Sequence, residues 1–360
     1  MWQVSGSDTG VHVVAFGAST AVGRDAWSTA AAVRAGITGF ADHPFMVDTA
    51  GAPMRVALAP WLDVACGGCD RFEALLVPAL EQAMAPVTAG LGRTLQCGLV
   101  LALPPWRPGL PDTLEDDLRA VIASVFPNRF IAIAVFTVGP AGALLGMQAA
   151  CRKIEDGAFD ACVIAGVDSY SEPETLEWLE ASDRLHGAGR LKNAWGLIPG
   201  EAAGANLLVS AATAETLDVE PLARVLSVGT GFEPNRIDAE AVCLGEGLTA
   251  AFREGLAGLP GGAKVTDVFC DMNGEPYRAD EFGFAALRTR HLFVSPSDFV
   301  TPADCCGDVC AASVPVGVAL STIASMKAYA KGPFAFLWAS SDSGERGGAL
   351  LRSIERRAPN

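Results

Sequence analysis

The stretch from Thr137 to Tyr170 constrains the chain more than any other. It reads TVGPAGALLGMQAACRKIEDGAFDACVIAGVDSY: a glycine turn, a helix with almost no polar face, then a buried strand. The turn is Thr137-Val138-Gly139-Pro140-Ala141-Gly142. The helix is predicted from about Gly142 to Asp156, with Gly157 as its left-handed stop. Leu144, Leu145, Met147, Ala150, Cys151 and Ile154 leave it little room for a polar face. Charge is confined to Arg152, Lys153, Glu155 and Asp156 in the last turn. A helix apolar nearly all round belongs inside a fold. The strand Ala161–Ala165 follows, closed by Gly166-Val167-Asp168-Ser169. The N-terminus of such a helix carries partial positive charge, and an enzyme would place a thiolate there. This chain has no cysteine at that point.

The unit recurs. A long apolar helix predicted over Ala312–Ala330 leads through Gly332-Pro333 to a strand at Phe334–Ala339, then Asp342-Ser343. Gly157-Ala158-Phe159 and Asp168-Ser169 bracket the first strand in the same way, so the two units run in nearly constant register. Strands at Cys97–Leu103 and Val265–Asp271 precede them by similar distances. The chain therefore reads as two βαβ-rich halves, 1–215 and 216–360, sharing one core, with the two buried helices back to back between sheets. Residues 171–200 are polar, carry Gly187, Gly189, Gly196 and Gly200, and read as an excursion on the surface or over a pocket.

The remaining elements fill in this frame. In the first half, strands are predicted at 11–16, Phe130–Val135 and Gly200–Val209, and helices at Asp25–Ala35, Arg71–Val87 and Leu114–Phe126. In the second half, strands are predicted at Ala223–Val228 and His291–Ser295, and helices at Ala239–Ala257 and from Asp280 to Leu287.

Composition excludes some functions. Half the residues are hydrophobic and mean hydropathy is +0.30, enough to fill a large core, while a net charge of −15 argues against a general nucleic-acid binder. No apolar run has the length of a membrane span. Met1-Trp2-Gln3-Val4 has no basic segment leading into an apolar one, so a cytoplasmic location is expected, with the ten cysteines as reduced thiols. Cys66-Gly67-Gly68-Cys69 has the spacing of half a zinc site, but Cys305-Cys306 with Cys310 is not a standard second half. Buried or loop thiols are the reading taken, with no metal.

Several segments resemble the β-ketoacyl-acyl-carrier-protein synthases of the thiolase-like superfamily. VVAFGASTAVGRDAWSTAAAVRAG resembles their opening strand, loop and helix. Gln148 to Tyr170 resembles the helix after the nucleophile and the strand ending in their GG turn. Gly200-Glu201-Ala202-Ala203-Gly204-Ala205 is similar to their GEGAG segment. Ser341 to Leu351 resembles their glycine-rich C-terminal loop and final strand. The resemblance spans about residues 11–352. It implies an α/β fold, the thiolase-like five-layered α/β/α/β/α sandwich made of two duplicated halves.

It also implies where chemistry would sit. Family members attack an acyl thioester with a cysteine at the N-terminus of the buried helix, and two histidines stabilise the enolate formed on decarboxylation. Counting back from Gly157 puts the nucleophile at Gly139 or Pro140. Neither is a nucleophile, and Pro140 also lacks an N–H. The first histidine falls on Asn273, or on Met272 if the register slips by one. The second falls on Asp308. An amide at Asn273 still donates one hydrogen bond, whereas an ionised Asp308 repels an enolate. His12, His43, His186 and His291 match neither site. The three departures together imply a catalytically degenerate member, a pseudoenzyme.

Thr137, Cys305, Cys306, Cys310, Gly344, Gly347 and Gly348 are the candidate lining of a relict pocket, and Glu201 matches a structural glutamate. No cofactor is implied. The implied partners are a second copy or a ketosynthase-like chain, joined at the edge strand Phe130–Val135 in the manner of chain-length factors. An acyl-carrier protein, met by a local basic patch such as Arg152-Lys153, is another, and an effector or adaptor protein of type VI secretion a third. The competing expectation is an acyltransferase or condensing enzyme with relocated residues, supported by the pocket-side cysteines.

Overall fold

The computed structural model describes residues 10–89, 95–190 and 192–354; Met1 to Val4 lie outside them. The first half contributes β1 (Val11–Thr20), α1 (Ala26–Ala35), β2 (Ala41–Val47), β3 (Pro53–Val56), α2 (Gly68–Ala89), β4 (Cys97–Ala102), α3 (Leu114–Val125), β5 (Ala132–Phe136), α4 (Gly142–Glu155), β6 (Ala161–Ser169), α5 (Pro173–Ala181), β7 (Glu201–Ser210) and α6 (Ala211–Leu217). The second contributes β8 (Ala223–Phe232), α7 (Glu246–Gly255), β9 (Asp267–Cys270), α8 (Pro276–Thr289), β10 (Phe299–Val300), α9 (Ala303–Cys306), α10 (Ser313–Met326), β11 (Phe334–Ser340) and β12 (Glu345–Ser353).

The duplication is written in the strand order. One half runs β5-β4-β6-β7-β1 and the other β10-β9-β11-β12-β8. In each, three parallel strands are followed by two antiparallel ones. The expected pair of sheets is joined: Val11, His12 and Val13 of β1 pair with Val225, Arg224 and Ala223 of β8, making one ten-stranded sheet. The two halves still face each other across α4 and α10. Helix α10 contacts β7 and β1 of one half and β11 and β9 of the other, and α4 contacts β4 and β6 as well as β8 and β12.

Three apolar cores give the five layers. Phe72, Leu76, Leu80 and Leu118 of α2 and α3 cover one outer sheet face. Leu144, Met147, Val316 and Leu320 of α4 and α10 fill the centre. Leu248, Phe252 and Phe282 of α7 and α8 cover the other outer face, with Trp338 stacked on Phe282 at 4.9 Å.

The two central helices differ. Every residue of α10 from Ser313 to Ala324 is buried, as an all-apolar sequence requires. Helix α4, which carries Gln148 and a charged last turn, leaves Ala149 exposed and Leu145 and Gln148 half-buried. Gln148 bonds the Val228 carbonyl and Glu254, and the helix also contacts β5, one of the sheet's two edges, whose Ala132 and Ala134 are exposed. An uncovered edge strand with an apolar helix at its flank is a template for pairing with another chain.

Some predicted boundaries move. The helix expected over Ala239–Ala257 begins only at Glu246, because Gly245 takes φ +63° and the Glu233 carboxylate accepts the Gly247 N–H. The strand expected at His291–Ser295 is a 3-10 turn, Arg290–Leu292, followed by one bridge from Phe293 to Val265, and the paired strand is β10. Within the excursion 171–200 lies α5, started by Pro173 at its first turn.

Candidate functional site

The turn before α4 is built without a nucleophile. Gly139 has φ +77°, a left-handed conformation that glycine adopts at little cost. Its N–H donates to the Leu103 carbonyl at 3.0 Å, the Ala141 N–H donates to the Ser341 hydroxyl at 3.0 Å, and the Gly142 N–H donates back to the Gly139 carbonyl. The donors that an oxyanion would need at this helix end are thus engaged within the protein. A Cβ on Gly139 would sit 3.2 Å from the Cys310 sulfur and 3.2 Å from Pro105 Cδ.

Asn273 and Asp308 meet. Asn273 follows β9 and Asp308 precedes α10. The Asn273 amide donates to one Asp308 carboxylate oxygen at 2.6 Å and to Glu275 at 2.9 Å. The Asn273 side-chain oxygen accepts the Glu275 N–H, and the other Asp308 oxygen accepts the Cys310 N–H at 2.7 Å. Met272 turns to the outer core instead, and its carbonyl accepts from the Thr301 hydroxyl. Burial raises the Asp308 carboxyl above its ordinary range, opposed by Arg278 and by the Asn273 hydrogen bond.

A charged network surrounds this pair. Arg184, carried by the excursion 171–200, grips Glu275 with two nitrogens at 2.6 and 2.9 Å and reaches Asp342 at 2.8 Å. Arg278 of α8 bonds Asp271 at 2.9 Å, the Ser340 carbonyl at 2.6 Å and Asp342 at 3.1 Å. The ion pairs hold Glu275 and Asp342 below their ordinary values against the opposing pull of burial. Asp271 goes the other way. Burial outweighs Arg278 and pushes it up to about 6, and one of its oxygens has no hydrogen-bond partner. Arg346 closes the network through Glu281 at 2.5 Å and the Tyr277 hydroxyl at 3.0 Å.

A second buried pair lies on the first-half side. Arg107 bonds Asp168 at 2.6 and 3.1 Å and lies 4.0 Å over the Tyr170 ring. Cys310 abuts this pair and holds a strained φ of +40°. Burial pushes its thiol well above the ordinary range, with Asp168 and Asp308 adding to the shift, so it carries little thiolate at neutral pH. Glu201 is buried against Arg71 at 2.6 Å and accepts from Ala59 N–H and Ser169, in keeping with a structural role.

The sequence therefore points to residues that the fold gathers: Gly139, Pro140 and Cys310 on one side, Asn273 and Asp308 on the other. Other candidates lie apart. The Cys305 carbonyl accepts the Gly39 N–H, and Cys306 meets Thr20 beneath the first-half strands. Thr137 is exposed just beyond the β5 edge. Gly347 makes room for Leu144, and Gly348 for Phe336. Gly344 turns the chain at φ +114°. Arg152 and Lys153 sit at the far end of α4, roughly 18 Å along the helix from the turn. Among the described residues the one converging group of three metal-type donors is Glu233, Cys243 and Glu281, not Cys66 with Cys69. Both of its carboxylates are engaged, Glu233 by backbone N–H groups and Glu281 by Arg346 and Ser340.

The arginines of the network were not singled out by sequence. Arg107 stands between prolines in PPWRPG, an apolar setting that marks a buried cation, but no spacing names its partner. The excursion does cover a pocket. A cavity of about 600 Å³ is lined by Trp178, Arg184 and Trp195 from the excursion and by Ile237, Glu275 and Tyr277 from the second half.

No protein-family model matches the chain, and no curated protein matches it. Solved structures do. The ishigamide ketosynthase/chain length factor aligns with TM-score 0.70 and 20% identity over 96% of this chain and 100% of that one. A type II PKS acyl-carrier protein in complex with its ketosynthase bound to the hexaketide (AntDE:AntF) aligns with TM-score 0.76 and 12% identity, over 97% and 100%. The ketosynthase from module 6 of the bacillaene synthase from Bacillus subtilis 168 aligns with TM-score 0.74 and 13% identity, over 96% and 72%. The fold is the thiolase-like fold of these ketosynthases.

Proposed function

We propose that this ketosynthase-fold chain is a non-condensing binding partner that pairs with a second ketosynthase-like chain and meets an acyl-carrier protein. One observation carries the reading. The positions that the resemblance assigns to nucleophile and histidines hold Gly139 or Pro140, Asn273 or Met272, and Asp308, and Gly139, Asn273 and Asp308 are gathered around Cys310 and one another. Asn273 and Asp308 spend their hydrogen bonds on each other and on Glu275 and the Cys310 backbone. A carboxylate beside the reacting carbonyl opposes enolate formation. The open β5 edge and the uncovered face of α4 support the pairing. A ketosynthase/chain length factor and a ketosynthase with its carrier protein among the structural neighbours support the two partner classes.

One observation favours a second reading, an acyltransferase with a relocated nucleophile: the Cys310 sulfur lies against Gly139. Its buried, weakly acidic thiol argues against that role. One experiment separates the two. The purified protein is incubated with malonyl- and acyl-carrier protein, its mass is measured, and carbon dioxide is followed in parallel. The first reading expects no adduct and no carbon dioxide above background, with a carrier-protein complex detected by size exclusion. An acyl increment on Cys310, or decarboxylation, overturns it.

A further inference from the structure

A second cavity lies away from this site, between α1, α10 and the β9–β10 edge. Its volume is about 260 Å³, room for roughly ten non-hydrogen atoms by the volume of liquid water. The walls are apolar: Val33 from α1, Phe269 and Val300 from the strands, and Leu320 and Ala324 from α10. Such a shape accepts the body of a small molecule.

The mouth is polar and unevenly charged. Lys331 is taken by Asp298 at 2.8 Å, and Asp267 accepts the Lys331 N–H and the Thr266 hydroxyl. Arg34 differs. Its guanidinium carbon lies 4.1 Å from the centroid of the Tyr329 ring, and among the described residues no carboxylate pairs with it. The ring holds the guanidinium at the mouth, and an arginine without a carboxylate partner can bind a planar anion with two parallel hydrogen bonds. Half-buried Tyr329 lines the same cavity, and its hydroxyl has no protein hydrogen-bond partner among the described residues.

We infer that this cavity is a binding site for a small monocarboxylate, with its apolar body among Val33, Phe269, Leu320 and Ala324 and its carboxylate on Arg34 and Tyr329. The inference does not depend on the reading given above, because none of these residues belongs to the Asn273–Asp308 site.

Octanoate, with ten non-hydrogen atoms, is the probe, and octanamide is its neutral counterpart. Both are titrated by calorimetry, below the concentration at which octanoate self-associates, into the full chain and two variants. Arg34→Gln removes the cation from an exposed position. Val33→Trp fills the mouth from a half-buried one. Circular dichroism and the unfolding temperature show that each variant folds. The expected result is saturable octanoate binding at one site per chain, about tenfold weaker in Arg34→Gln and lost in Val33→Trp. Octanamide should bind about tenfold more weakly than octanoate and equally to wild type and Arg34→Gln. No saturable binding, or octanoate binding that neither substitution changes, overturns the assignment.

Discussion

Alanine at Gly139 is the most direct test of how the turn before α4 is filled. The residue would have to keep φ near +77°, a conformation that costs an L-residue about 1–2 kcal/mol. Its Cβ would also meet the Cys310 sulfur and Pro105 Cδ, each at 3.2 Å. Crowding of that kind costs about 1–3 kcal/mol. Gly139→Ala should therefore destabilise the protein by about 3 kcal/mol. The sulfur's share can be isolated. Cys310→Ala removes the sulfur and leaves Pro105, so in that background Gly139→Ala should cost about 1 kcal/mol less. Urea unfolding of the four proteins, with m unchanged across the set, measures the cycle. Additivity within about 0.3 kcal/mol would show that Cys310 does not occupy the space beside Gly139, and the argument from that contact would fail.

Three further outcomes follow from the buried charges and the open edge. Asp168→Ala leaves Arg107 buried without its carboxylate and should cost about 3–5 kcal/mol, while the pair Arg107→Met with Asp168→Leu should recover most of it in thermal unfolding. Asp271 binds its proton more tightly folded than unfolded, so its stabilising contribution is complete below its ordinary value of 3.8 and disappears as pH rises through about 6. Asp271→Asn should lack that decline, which amounts to at most about 3 kcal/mol between pH 3.5 and 7. A stability profile with the same slope in both proteins would contradict the assignment. On the pairing proposed above, wild type should scatter light as a pair, and Ala134→Asp, which places a charge on the β5 edge, should yield single chains with a nearly unchanged unfolding midpoint; single chains in wild type would refute self-pairing.

The duplicated frame was legible because its signals are local. The glycine turns, the buried helices and the Asp-Ser strand ends recur in register, and the identical strand order in the two halves is their consequence. The candidate site was legible only through resemblance, which pointed to Gly139 or Pro140, to Asn273 or Met272 and to Asp308 but gave no reason for the contacts these residues make. That reason is a set of contacts between residues far apart in the chain. Arg184 to Glu275 and to Asp342, Arg107 to Asp168, and Cys310 against Gly139 have no spacing by which a sequence could announce them. Cys305 and Cys306 read as pocket residues because they are close to Asp308 in sequence; in the fold the Cys306 thiol meets Thr20, and the Cys305 carbonyl accepts the Gly39 N–H. The apolar α4 was expected to be buried on all sides. It keeps one face open because apolar composition does not say whether its cover comes from the same chain or another.

Helix α10 has a consequence for how the protein is made. It is encoded in the second half but lies against β1 and β7 of the first. When a ribosome has released the first 215 residues, α4 covers β4 and β6, but the helix that packs most closely on β7 and β1 is not yet synthesised. Arg184 likewise waits for Glu275 and Asp342. Synthesis must pass Met326 before the earlier half can close, so the nascent chain carries exposed apolar surface until then, and truncation just before α10 should be as damaging as truncation near residue 215.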